Sequence, residues 1–201
     1  MTRAEQLRTA LAGTPSWAWL DGALGTAAER PETAARSFAA AGRRAGRAPL
    51  RDVPGWTADE AARALLLAAL PPDRVTHMTC DLYQHGDADE KRAVLKSLPM
   101  LAVGAAALPL LHDAIRTNDA RLVAAALGPY ARHLDQAAWR QAVLKCVFMG
   151  VPLAAVDRLD ERADTELASM LAAFADERAA AGRHMPADAA SLLHRLTRQE
   201  T

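Results

Sequence analysis

Apolar residues recur at helical spacing along almost the whole chain, and polar, glycine or proline punctuation separates one run from the next. Leu7 and Leu11 share one face of a first helix over residues 2–12, which Gly13 stops. Trp17, Leu20 and Leu24 point inward from a second, capped by Ser16 and running to about Glu29. Pro31 suits the first turn of a third, ending near Gly42. The stretch Asp135 to Leu153 stands apart. Its second half is apolar on every face, so it predicts a helix buried on most sides, around which the rest is organised. One charge, Lys145, sits inside that run.

Residues 42–56 break the pattern: Arg43, Arg44, Arg47 and Arg51 lie among glycines and prolines, which predicts a loop. Thr57 with Glu60 forms a capping box for a helix whose inner face is Ala61, Leu65, Ala68 and Ala69. Pro71 and Pro72 end it, and a helix from Asp73 to about Tyr83 follows, with Val75, Met78 and Leu82 inward. Gly86 stops that helix, Asp87 with Glu90 caps the next, and residues 88–98 bury Val94, Leu95 and Leu98. Further helices are predicted over about 103–116, 119–127 and 160–181, the last with Leu167, Met170, Leu171 and Phe174 inward. Pro186 opens a final helix carrying Leu192, Leu193 and Leu196.

No strand candidate survives, and abundant Ala and Leu favour helix. The predicted class is all-α. GDADEKRAVL, TNDARLVAAAL and DERADTELASML recur at about 30–45 residues, the spacing of a helical-hairpin repeat, or HEAT-like α-solenoid. A compact multi-helix bundle fits the same pattern. The arginine loop suggests an N-terminal piece, residues 1–56, ahead of a main helical body, residues 57–201.

Composition narrows the function. Lys plus Arg and Asp plus Glu number 24 each, so the surplus of positive charge that most nucleic-acid-binding proteins carry is absent. The longest uncharged run, Leu98 to Leu111, contains two prolines and falls short of the ~20 residues that span a bilayer. The first residues lack the apolar core of a signal peptide. Two cysteines outside any CxxC pair fit a reduced, cytoplasmic protein.

Four constellations are candidates for chemistry. Lys145 needs a partner if buried, and the turn acids Asp119, Asp87 and Glu90 are the candidates. The segment Tyr83 to Arg92 crowds Tyr83, Asp87, Glu90 and Lys91 at a helix junction. A third band holds Arg116, Asn118, Asp119, Arg121, Tyr130, His133, Asp135, Gln136, Trp139 and Arg140; in a solenoid it shares an edge with the Tyr83 turn. His77, Cys80 and His85 have partial metal-ligand spacing, but no second pair completes a site, and no metal or cofactor is predicted. No nucleophile motif, phosphate loop or dinucleotide fingerprint is present.

These residues carry a resemblance. Tyr83-x-x-Gly86-Asp87-x-x-Glu90-Lys91-Arg92-Ala93, Leu98-Pro99, Arg116-Thr117-Asn118-Asp119, Gly128-Pro129-Tyr130-Ala131 and Trp139 to Phe148 resemble the EboA family over about residues 60–185. The family's genes sit beside a prenyltransferase-type enzyme, a TIM barrel of sugar-phosphate type, a dehydroquinate-synthase-like protein and a hydrolase. The resemblance therefore implies an accessory role in making or exporting a prenylated or aromatic secondary metabolite, with those enzymes or a small metabolite as partners. It supplies no activity and no catalytic residues. The binding residues expected are Tyr83, Asp87, Glu90, Lys91, Arg116, Asn118, Asp119, Tyr130, Trp139 and Lys145. The alternative is a small enzyme acting on an isoprenoid or sugar-phosphate intermediate, with Lys145 holding an anion beside an acidic partner. A nucleic-acid-binding helical repeat is the third reading.

Overall fold

Ala58 to Leu67 is a run of ten consecutive buried residues, three of them charged, and the first half of the molecule is built around it. The structure, a computed structural model, describes residues 1–198. It divides into two compact units at Leu110 and Leu111. Unit 1 contains α1 (Arg3–Ala12), α2 (Trp17–Glu29), α3 (Ala34–Arg44), α4 (Ala58–Ala68), α5 (Pro72–His85) and α6 (Ala88–Ser97). After α7 (Leu108–Arg116), which spans the division, unit 2 contains α8 (Ala120–Ala126), α9 (Gln136–Met149), α10 (Leu159–Arg162), α11 (Thr165–Ala180) and α12 (Ala187–Arg198). Among the described residues there is no strand, only an isolated antiparallel bridge between Pro49 and Thr57. The chain is all-α, as its pattern predicts. The expected division after residue 56 falls inside unit 1, between α3 and α4.

Helix α4 packs against α1, α2, α3, α5 and α6. Ala58, Ala61, Ala62 and Ala64 present no bulk, so neighbouring backbones approach closely on several sides. The predicted inner face is therefore corrected. Ala68 is exposed, and Asp59, Glu60 and Arg63 lie inside. A polar residue near a helix start reads as solvent-facing; here each charge has an oppositely charged partner instead.

Helix α9 carries the opposite correction. It buries one stripe, Trp139, Ala142, Val143, Cys146 and Val147, against α8 and α11. Phe148 is 72% exposed, and Lys145 and Leu144 are half-buried. A segment apolar on all sides has no periodicity from which its covered face can be read.

Smaller departures have local causes. Ser16 does not cap α2; its Oγ lies 2.9 Å from Thr14 Oγ1. Trp17 is half-buried under the Arg8 guanidinium, 5.5 Å from the ring. Helix α3 passes Gly42 and ends at Arg44, and the loop after it buries Leu50, Val53 and Trp56. Residues 103–107 form turns rather than the start of α7, with Gly104 at φ 52°, in the left-handed region that favours glycine. The helix expected over 160–181 breaks at Ala163 and Asp164, because Asp164 adopts an extended backbone and accepts the Leu167 N–H at 3.1 Å to cap α11.

Arg63 holds unit 1 at its centre. Its Nη1 donates to Asp59 at 2.6 Å, its Nε donates to the Phe38 carbonyl at 3.2 Å, and its Nη2 lies 3.8 Å from Glu90. Arg63→Met strands the buried Asp59 carboxylate and is expected to cost about 3–5 kcal/mol in urea unfolding. Adding Asp59→Asn is expected to recover part of that loss.

Candidate functional site

Unit 1 brings the Tyr83–Arg92 turn onto the α4 charges. Gly86 allows α5 and α6 to meet, since a Cβ there would lie 2.7 Å from the Leu82 carbonyl oxygen. Asp87 then caps α6 by accepting the Glu90 N–H at 2.8 Å, and Glu90 accepts the Asp87 N–H at 3.1 Å. Lys91 places its ammonium 5.0 Å from the ring of buried Tyr83. Arg92 and Lys96 turn the other way. Glu60 pairs with Arg92 Nε at 2.8 Å, with Lys96, and with the Thr57 N–H at 3.0 Å. Lys96 also donates to the Gly55 carbonyl at 2.6 Å and lies 4.4 Å from the Trp56 ring. Burial lowers the Lys96 ammonium below its ordinary pKa, against the raising effect of its bond to Glu60.

Unit 2 distributes its predicted residues between surface and interior. Arg116 and Asn118 are exposed, and Arg116 lies 3.4 Å from Asp113. Asp119 caps α8 and pairs with Arg121 at 2.9 Å; the Arg121 guanidinium holds its carboxyl below the usual range. Tyr130 is buried with its ring 4.7 Å from that of His133. Trp139 is fully buried, 4.7 Å from the Arg162 guanidinium. Arg162 in turn donates to the carbonyls of Ala131 at 2.8 Å and Leu134 at 3.0 Å.

The expected partners of Lys145 are engaged elsewhere: Asp119 with Arg121, Glu90 with Arg63, and Asp87 at its own helix start. No carboxylate among the described residues pairs with Lys145. The sequence pattern points to Glu60 only as a helix cap, and it does not single out Asp59, Arg63, Lys96, Arg162 or Asp164. The i, i+4 spacing of Asp59 and Arg63 was the one local signal. Glu60 to Lys96 and Arg140 to Asp164 are long-range pairs, which spacing does not reveal.

Each unit carries an open concavity among the described residues. In unit 2, a groove of about 490 Å³ has Leu153, Val156, Leu159 and Leu192 on its walls, with Arg158 and Arg195 beside them. Arg158 Nε lies 2.6 Å from Glu161, and Arg195 Nη2 lies 2.6 Å from Asp160. Arg158 is the non-glycine residue with positive φ, 53°, among the described residues, a strained conformation of the kind that collects at binding sites. In unit 1, a hollow of about 450 Å³ lies between the α1–α2 turn and the arginine loop. Among the described residues no group of three His, Cys, Asp or Glu is placed to hold a metal ion; His77 and His85 are exposed.

The architecture defines an all-α protein of packed helices, with its interior charges committed to helix junctions. The chain belongs to the EboA family: the family model described as metabolite traffic protein EboA matches residues 33–194. That match takes in α3 and the arginine loop, upstream of the 60–185 stretch. No curated protein and no solved structure matches the chain.

Asp164 and Cys146 give direct tests of this geometry. Hydrogen bonds from Arg140, with help from Gln136, bring the Asp164 carboxyl down to about 2. A depressed carboxylate stabilises the fold above its unfolded pKa of about 3.9, and that contribution is lost as pH falls toward 2. Since Asp164 is partly exposed, solvent screening limits the effect to roughly 1 kcal/mol. Asp164→Asn is expected to flatten the stability profile across that window in denaturant titrations. Burial pushes the Cys146 thiol up to about 12. Native protein at neutral pH is therefore expected to leave Cys146 unalkylated by iodoacetamide in peptide mass spectra, with labelling after denaturation.

Proposed function

We propose that this chain is a non-catalytic accessory protein that binds a small metabolite or partner enzyme in a secondary-metabolite pathway. Its place is the reduced cytoplasm, a reading supported by two free cysteines. The observation that carries the proposal is the unit 2 groove. Its volume falls in the range of small-molecule sites, and its lining joins apolar Leu153, Val156, Leu159 and Leu192, which suit a prenyl or aromatic body, to a polar side with Asp160, Glu161 and Asp188. Arg158 and Arg195 offer polar contacts at the rim while remaining paired with carboxylates. On the same unit, exposed Arg116 and Asn118 and half-buried Lys145 are the residues we assign to contact with a partner enzyme. The metabolite-traffic description of the family supports the same reading.

Ser191 lines the groove, is exposed, and donates only to the Ala187 carbonyl of its own helix. Ser191→Trp fills the groove without entering the core and is expected to change stability by less than about 0.5 kcal/mol. Native mass spectrometry of the gently purified chain is expected to retain a small molecule, identified after denaturation. Affinity should fall roughly tenfold in the variant, a loss of about 1.4 kcal/mol, and occupancy should fall with it. Unchanged occupancy would remove the groove from the proposal, and turnover of a released molecule by the purified chain would replace it with an enzyme.

A further inference from the structure

We propose that the hollow in unit 1 is a binding site for an organic phosphate: a phosphoryl head on an apolar body. It is separate from the unit 2 groove and does not depend on it. The hollow joins residues distant in sequence, the turn at Thr14 and Ser16, the end of α3 at Arg44 and the loop at Leu50 and Arg51. Arg44 and Arg51 both line it, and neither has a carboxylate partner among the described residues. This sets them apart from Arg47, which lies 3.1 Å from Asp89, and from Arg63 and Arg92, whose charges are neutralised by α4 and α6.

Two arginines without carboxylate partners on the lining of one concavity are suited to a phosphoryl group, whose oxygens accept forked guanidinium N–H donors in pairs. Asp52 also lines the hollow, so the charge of its lining is one positive unit in excess. Thr14 and Ser16 add two hydroxyls. Their oxygens lie 2.9 Å apart, and Thr14 Oγ1 donates to the Leu11 carbonyl at 2.7 Å, so the turn is set before a ligand arrives. A bare phosphate does not fill about 450 Å³. The remaining wall is carbon, from Pro15, Ala48, Pro49 and Leu50 among others, which selects a ligand with an apolar portion behind its charged head.

The loop is a fixed wall. Leu50, Val53 and Trp56 anchor it in unit 1, the Leu50 N–H donates to the Trp56 carbonyl at 2.8 Å, and the Ala58 N–H donates to the Ala48 carbonyl at 2.9 Å. Arg44 and Arg51 are thus exposed side chains on a held backbone.

Titration calorimetry of the full chain with butyl phosphate and with inorganic phosphate tests the site. Saturable one-to-one binding is expected, tighter for butyl phosphate. The double variant Arg44→Gln, Arg51→Gln should weaken it roughly tenfold or more. Arg43→Gln removes an exposed arginine that does not line the hollow and should leave it unchanged. Circular dichroism should be the same for all three proteins. Sedimentation with phosphatidylcholine vesicles containing phosphatidic acid identifies the source of the head group. Capture that depends on Arg44 and Arg51 there, without binding of butyl phosphate, assigns the site to a lipid head group; the reverse assigns it to a soluble metabolite. Arginine-independent binding, or no binding to either probe, overturns the proposal.

Discussion

Unit 1 depends on keeping charge inside a helix core. Asp59, Glu60 and Arg63 are each nearly inaccessible, and unpaired charges in that setting would cost several kcal/mol apiece. Pairing fixes the arrangement of everything around them. Arg63 needs the middle of α3 for its Phe38 carbonyl contact, α4 for Asp59 and α6 for Glu90. Glu60 needs Arg92 and Lys96 one turn apart on α6. A helix register shifted by one residue would leave these groups without partners, so the network acts against misregistered packing more than it adds to net stability. Lys96 extends the network to the Gly55 carbonyl and the Trp56 ring, and so ties down the end of the arginine loop.

Unit 2 uses polar ties of a different kind, placed at helix ends. Arg162 donates to the carbonyls of Ala131 and Leu134, at the end of the short 3-10 turn Pro129–His133. Asp164 caps α11 while accepting from Arg140 and Gln136 of α9. Asp188 accepts the Leu153 N–H at 2.8 Å and joins the start of α12 to the chain following α9. The apolar walls of the unit 2 groove therefore stand on junctions held by directional bonds, while its rim arginines stay exposed.

What was legible in the sequence was local. The capping box of Asp87 and Glu90 occupies its predicted place, because it joins residues three positions apart. What was illegible was tertiary. The environment of α4 depends on Arg92 and Lys96, over thirty residues downstream. The bond between Asp164 and Arg140 joins residues 24 positions apart. Lys145 drew attention because its neighbours are apolar, yet α9 turns it toward a partly open side. The arginine loop illustrates the limit for sites. Its four arginines look alike in sequence, and only the fold separates Arg47, spent on Asp89, from Arg44 and Arg51.

That distinction between spent and available charge bears on the traffic of a metabolite, which requires release as well as capture. Buried Arg63 and half-buried Arg162 are held by several acceptors at once, and drawing them to a ligand would expose carboxylates and carbonyls at a large cost. The rim pairs Arg158–Glu161 and Arg195–Asp160 are exposed, and such pairs are worth only about 0–1 kcal/mol. A ligand competing for those arginines therefore displaces little and gains little from charge, leaving apolar contact to supply most of its affinity. Arg44 and Arg51 have no internal carboxylate to displace, so an anion would gain the full forked contact there and would feel ionic strength more strongly. If both concavities are occupied in turn, salt separates them: the unit 1 ligand dissociates first as salt rises, and the unit 2 ligand, held by apolar contact, remains.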